Sequence, residues 1–285
     1  MAPPWRRCAI SLSMQLHKAG LLNTAAKKVS PLLSRILTAG PLEKITRGID
    51  AYVNFLIGRG SGTGWDLESE VACASKQIRS AAPVIFDVGA NIGEWSVLMQ
   101  KYQPQARLFL FEPSQECVAQ LFAKHIPNAN VIGKACSHQS GTADFYAASP
   151  TDGSASLHAR GESYFADSTY QVSQVPTTTI DEIMHLEGLE AIDFLKMDVE
   201  GHEYSVLEGA AEALKNRRIR ALSFEFGGGN INSRIFFRDF WNLLTSSGFQ
   251  IYRVTPCGRL LHIDHYYEDQ EYFRGVSNYV CVLKD

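Results

Sequence analysis

The chain has 285 residues, 45% hydrophobic and 20% charged, which is enough apolar material for a sizeable core and too little charge for a disordered polymer. No stretch approaches the roughly 18 consecutive apolar residues of a membrane-crossing helix. The formal net charge of −3 hides an asymmetry: residues 1–60 carry nine Lys and Arg against Glu43 and Asp50, a net +7, and the remainder stands at −10.

Residues 1–40 contain no acid. The apolar stretch at 8–16 is broken by Ser11, Ser13 and Gln15, with no small-residue cleavage site behind it, which argues against a secretory signal. An acid-poor, serine-containing basic segment also matches organelle transit peptides. The reading favoured is a basic helical arm, solvated or lying on an anionic surface, so residues 1–60 are expected to make peripheral membrane-surface contact. From Pro41, the residues Leu42, Ile45, Ile49, Tyr52, Val53 and Leu56 recur at helical spacing. The tract Gly58-Arg59-Gly60-Ser61-Gly62-Thr63-Gly64 has no strand before it and no Gly-Lys-Ser/Thr ending, so it reads as a linker rather than a phosphate loop. It divides the expected organisation into a basic helical extension with a hinge, 1–64, and an α/β domain, 65–285. Asp66 is placed to cap a helix running to about Ser80, ahead of Pro83.

Strand and helix patterns then alternate. Strands are expected at 84–88, 107–111, from 130, at 192–197, 219–226, 249–255 and 277–283. Helices are expected at 93–102, 114–125, 203–215 and 233–246. Turn-rich sequence with short β-like pieces at 144–146 and 171–176 fills the middle. Alternation of this kind predicts a mainly parallel sheet covered on both faces. No helix separates the last two strands, so the final one is expected to run antiparallel. The six cysteines are scattered without a C-x-x-C pair, which fits a reducing, cytoplasmic compartment better than a disulfide framework or a zinc site.

Three segments carry the chemistry. Phe86-Asp87-Val88-Gly89-Ala90-Asn91-Ile92-Gly93 lies where an open parallel sheet binds ligands, with glycines that permit close backbone approach and a helix start that offers free N–H groups. Its G-x-x-x-G spacing departs from the dinucleotide G-x-G-x-x-G. Asp87 suits a cationic group, such as an amino acid's amine, and would repel a pyrophosphate. Glu112, in Leu110-Phe111-Glu112-Pro113, ends the second strand, where a carboxylate can accept both hydroxyls of a ribose. Finally, Lys196-Met197-Asp198-Val199-Glu200-Gly201-His202-Glu203 gathers acids and a histidine at a strand's carboxyl end, where they can orient a hydroxyl and take its proton. Glu225 adds an acid from the neighbouring strand, and a buried acid needs a partner, either Lys196 or a metal.

Together these motifs resemble the FkbM family of S-adenosylmethionine-dependent methyltransferases, over roughly residues 65–284. The resemblance implies a class I Rossmann-like fold, a seven-stranded mostly parallel sheet with an antiparallel last strand. It implies that Asp87, Gly89, Asn91 and Gly93 surround the methionine part of the cofactor and that Glu112 meets the ribose. It further places the adenine-edge contacts near Ala135, Cys136 and Ser137, of which Ser137 is the assigned one. It also implies an O-methyltransferase acting on a small hydroxylated acceptor of sugar, glycolipid or polyketide type. Residues 1–60 lie outside it.

In-line methyl transfer requires an aligned acceptor oxygen and removal of its proton. Asp198 is assigned to orientation, Glu200 to acceptor binding, and Glu225 or His202 to the base. A divalent metal on Asp198, Glu200 or Glu225 would acidify a hydroxyl, but one sequence does not show that they converge, and none is predicted. Two segments are placed to choose the acceptor: 149–170, which reads as a lid or loop, and His262-Ile263-Asp264-His265-Tyr266-Tyr267-Glu268, which reads as a polar rim or as the border of a sugar-accommodating pocket, His262 and Asp264 sharing a strand face as a metal site would need. The alternatives are an NAD-dependent oxidoreductase on a similar sheet and a cofactor-binding protein without turnover. A nucleic-acid partner is disfavoured, because the domain's −10 repels phosphates.

Overall fold

The computed structural model describes residues 20–62, 67–159 and 169–284, with side chains from 28 onward. The expected cap Asp66, the start of the arm and part of the expected lid, 160–168, lie outside the described residues. Contacts divide the chain into two units, one up to Val53 and one from Asn54.

The first unit is helical. Helices α1 (Gly20–Leu37) and α2 (Pro41–Leu56) are separated by a turn at Gly40, whose φ of +48° suits a residue without a Cβ. Thr46 Oγ1 donates to Leu42 O and, at 3.4 Å, to Leu37 O, tying the start of α2 to the end of α1. No side chain of α2 is buried.

The second unit is built on an eight-stranded sheet in the order β10-β9-β11-β8-β7-β1-β2-β3. Its strands are β1 (Val84–Val88), β2 (Arg107–Phe111), β3 (Ala129–Ile132), β7 (Ile192–Met197), β8 (Ile219–Gly227), β9 (Phe249–Val254), β10 (Leu260–Ile263) and β11 (Val276–Leu283). Strands β3, β2, β1, β7 and β8 pair in parallel, and β11 runs antiparallel between β8 and β9. The parallel α/β architecture with an antiparallel last strand is therefore present. The strand count corrects to eight, because the chain after β9 folds straight back as β10 and adds an edge. The β-like pieces form a separate three-stranded sheet, β4 (Ala135–Cys136), β6 (Gln171–Thr178) and β5 (Gly141–Ala147), in that order.

Alternation along the strands sorts the core. Phe86, Val88, Leu195, Met197, Leu222 and Phe224 point to one face, under helices α6 (Ile180–Leu186), α7 (Glu203–Glu208), α8 (Ala211–Lys215) and α10 (Phe237–Ser246). Phe224 stacks between Phe240 and Tyr279, with centroids 4.5 and 5.2 Å away. The other face carries Ile85, Leu108, Leu110 and Phe194 under α3 (Leu67–Ser75), α4 (Glu94–Tyr102) and α5 (Gln115–Ala123).

Several boundaries differ from expectation. Helix α3 stops at Ser75 rather than about Ser80. The helix expected over 203–215 breaks at Gly209, where a Cβ would lie 2.1 Å from Ser137 O. The one expected over 233–246 starts at Phe237, with a separate short turn, α9 (Gly229–Ser233), ahead of it and Arg234 in the left-handed region between them. The glycine tract is anchored rather than loose. Gly60 N donates to Ser277 Oγ, Gly62 N to Val276 O, and Arg253 Nε to Ile57 O.

Candidate active site

The carboxyl ends of β1, β2 and β7 open onto a concave cavity, the ordinary shape of a small-molecule site. Gly89, Asn91, Glu112, Phe145, Asp198 and His202 line it. Its shape starts from the β1–α4 turn. Gly89 takes φ +77°, and a Cβ there would sit 1.8 Å from Asp198 O. No other residue lets β1 and the end of β7 approach so closely. Gly93, at φ +83°, caps α4 against Leu121 and shapes the turn without lining the cavity.

Glu112 is buried yet faces this space. Its two oxygens accept from Asn91 N and Ser114 N, each at 2.8 Å, leaving further lone pairs free to accept. Burial pushes its carboxyl above the usual glutamate range, against the pull of those two N–H groups. Phe111, Ala135, Cys136 and Phe145 supply an apolar wall, and Asp152 to Leu157 border the opening. The described part of the segment expected as a lid thus contributes Asp152, Gly153, Ala155, Ser156 and Leu157 to the lining.

Asp87, expected beside the methionine part of the cofactor, is set back from the cavity. It is fully buried and does not line the cavity. It lies opposite Lys196 in the β1–β7 register. Ser96 Oγ donates to its Oδ2 at 2.6 Å, and Lys196 Nζ stands 3.1 Å from its Oδ1 as an ion pair without hydrogen-bond geometry. Lys196 also donates to Gly89 O at 3.0 Å and lies 3.5 Å from Asp198. Burial alone would lower the Lys196 pKa, but the carboxylates of Asp87, Asp198 and Glu70 hold it above the ordinary lysine range, so it stays charged. A neutralised, enclosed Asp87 cannot repel a pyrophosphate, and that argument against a dinucleotide falls away.

Ser137, expected at the adenine edge, is likewise set back from the cavity. It is buried and does not line the cavity; its hydroxyl lies 2.9 Å from His202 Nε2. The other nitrogen of His202, Nδ1, sits 3.0 Å from His158 Nε2. Burial, with His158 and His138 nearby, lowers the His202 pKa to about 3. The ring is neutral and a weak proton acceptor.

Asp198, Glu200 and Glu225, whose convergence the sequence did not show, lie together: one oxygen from each is within 4.8 Å of the others. Glu225 is buried at the α3 side of the sheet, and Asp198 borders both the cavity and the crevice beside Glu225. The loop bearing Asp198 and Glu200 is held from below by Glu203, whose fully buried carboxylate accepts from Val199 N and Gly201 N. Glu200 takes φ +56° there, and Gly201 φ +99° beneath Gly229.

Glu70, on α3, had no sequence signal. It borders the Glu225 crevice and accepts from Asn278 Nδ2 at 3.2 Å. Burial raises its pKa to about 7, Lys196 opposing. His262 and the six residues after it do not line this cavity. Instead His262 packs on Tyr252, and Tyr266 OH donates to Glu271. Among the described residues, His262 and Asp264 belong to no metal-ligand cluster. All five described cysteines are free, and no described helix is long and apolar enough to cross a membrane.

Comparison with known proteins places this geometry among relatives. The model of the methyltransferase FkbM domain matches residues 87–251. The chain is 32% identical over 148 residues to 2-O-methyltransferase NoeI of Sinorhizobium fredii, covering 48% of this chain and 60% of that protein. It is 30% identical over 159 residues to methyltransferase sdnD of Sordaria araneosa, covering 46% and 61%. The alignments span about three fifths of those relatives' length. Among solved structures, the O-methyltransferase from Bacillus cereus in complex with SAH aligns over 90% of this chain and 97% of that one, with 13% identity and a TM-score of 0.43.

Proposed function

Since the chain belongs to the methyltransferase FkbM domain family, we propose that it transfers a methyl group from S-adenosylmethionine to a hydroxyl oxygen of a small acceptor, of sugar, glycolipid or polyketide type. The observation that carries this reading is the cavity itself. A buried carboxylate, Glu112, faces it beside an apolar wall, and Asp198, one member of a converging acidic trio, lines it as well.

The donor set suits the cofactor's parts. Glu112 would accept from ribose hydroxyls, Phe145 and Cys136 would border the adenine, and Asn91 with the Gly89 backbone would hold the amino-acid end. S-adenosylmethionine supplies an electrophilic methyl group on a sulfonium centre. Asp198, at the boundary between cavity and crevice, orients the acceptor hydroxyl, and Glu200 binds the acceptor beside it. Glu225 takes the acceptor's proton. Neutral His202, with both ring nitrogens engaged, holds the cavity wall and is the weaker base. Asp87 and Gly93 act at one remove, the first through Lys196 and Gly89, the second through the turn.

Calorimetry with S-adenosylhomocysteine and with NAD tests the pocket; binding of NAD alone overturns the reading. A methyl-transfer assay across hydroxylated acceptors then tests the acidic trio. Asp198→Asn is expected to lower turnover by about 10²-fold or more with little change in S-adenosylhomocysteine affinity. Equal losses in both would reassign Asp198 to the cofactor's surroundings. Glu225→Gln should lose activity in protein stripped with a chelator as in untreated protein. Activity that vanishes on chelation and returns with a divalent cation would instead make the trio a metal site.

A further inference from the structure

The helical unit exposes what helices ordinarily bury. On α1, Val29, Leu32, Leu33, Ile36 and Leu37 fall at i, i+3, i+4, i+7 and i+8, a single stripe, and each is 42–62% exposed. On α2, Leu42, Ile45, Ile49, Tyr52 and Val53 form a second stripe, 41–62% exposed. An exposed apolar surface of this extent on consecutive helices marks an interaction site.

Charge identifies the occupant. Lys28 and Arg35 flank the α1 stripe, and Lys44 and Arg47 lie on the α2 face away from its stripe, with Glu43 and Asp50 as the acids of the first 60 residues. A second copy of this unit would bring one net-positive segment against another. An anionic lipid surface complements both features at once, taking the stripes into the acyl boundary and the lysines and arginines at its headgroups.

We infer that α1 and α2 together dock on an anionic bilayer surface, with their leucine and isoleucine stripes inserted and Lys28, Arg35, Lys44 and Arg47 in the headgroup layer. This is independent of the methyl-transfer reading, because it rests on the unit before Asn54.

The test is co-sedimentation of the full chain with vesicles of phosphatidylglycerol mixed into phosphatidylcholine, and with phosphatidylcholine alone. Partitioning should be at least about tenfold stronger on the anionic vesicles and fall steeply with salt. The quadruple change Lys28→Glu, Arg35→Glu, Lys44→Glu and Arg47→Glu should abolish that preference. Leu32→Glu with Ile45→Glu should abolish binding to both. These side chains are exposed, so the folded unit should survive, as checked by circular dichroism. Equal binding to both vesicle types, or none to either, overturns the proposal. So does a stable dimer in lipid-free solution that ignores vesicles and is dispersed by Leu32→Glu with Ile45→Glu, which would make the stripes an interface between copies.

Discussion

At the scale of single residues, the site depends on a buried charge pair. Asp87 is fully enclosed, and Lys196 is its cation. Removing one partner strands the other without solvent. Lys196→Met should therefore cost about 3–5 kcal/mol in denaturant unfolding, and pairing it with Asp87→Asn should recover much of the loss. A mutant as stable as the parent would mean that solvent reaches Asp87. Glu70 gives a pH signature. Its folded-state pKa of about 7 lies above the ordinary value of 4.5, so the folded state holds the extra proton. The resulting stability is complete below about 4.5 and is lost as pH rises through about 7. Glu70→Gln should flatten that part of the Tm–pH profile; Glu203, also raised to about 7, supplies the remaining slope. The sequence displayed Asp87, Glu112, Asp198 and Glu225 at strand ends, which is why their neighbourhood was legible. It could not display that Asp87 points into the sheet's α3 face. One register fact decides that: the charged residues of Phe86-Asp87-Val88 and Leu195-Lys196-Met197 come opposite each other. Glu70 was invisible, because nothing in an exposed-looking helix segment indicates that it will fold against Asn278.

At the scale of elements, helix termini are stabilised from a distance. The first two amides of α10, Phe237 N and Arg238 N, donate to the two oxygens of Glu271, at 2.7 and 3.0 Å, and Tyr266 OH donates to the same carboxylate. Asp181 does the same for Glu212 N and Ala213 N at the start of α8. Glu271→Ala should cost about 1–2 kcal/mol in chemical unfolding, with α10 amides exchanging faster by hydrogen exchange; unchanged protection would show that water replaces the cap. Periodicity located these helices and misjudged their starts, because the capping groups lie more than 30 residues away and local rules read only neighbours. The same limit explains β10. Its four residues, Leu260–Ile263, are too short and mixed for alternation to register, and only pairing with β9 makes them a strand.

At the scale of the whole molecule, the charge asymmetry coincides with a division of labour. The +7 segment presents apolar stripes, and the acidic remainder encloses the cavity. Deleting residues 1–40 should leave transfer to a soluble acceptor within about twofold of the full chain, since the unit from Asn54 has its own core; loss of turnover would tie the helices to the site. Strand order carries a further consequence. β11, the last strand in the chain, is an interior strand, pairing with β8 on one side and β9 on the other. During synthesis β8 and β9 therefore have no partner between them until Val276–Leu283 have left the ribosome. Until then two hydrogen-bonding edges stay open, rich in phenylalanine and isoleucine, and the nascent chain depends on chaperones or speed to keep them from foreign strands. The sheet becomes continuous only through these eight residues, so a chain lacking them would keep the facing edges of β8 and β9 open.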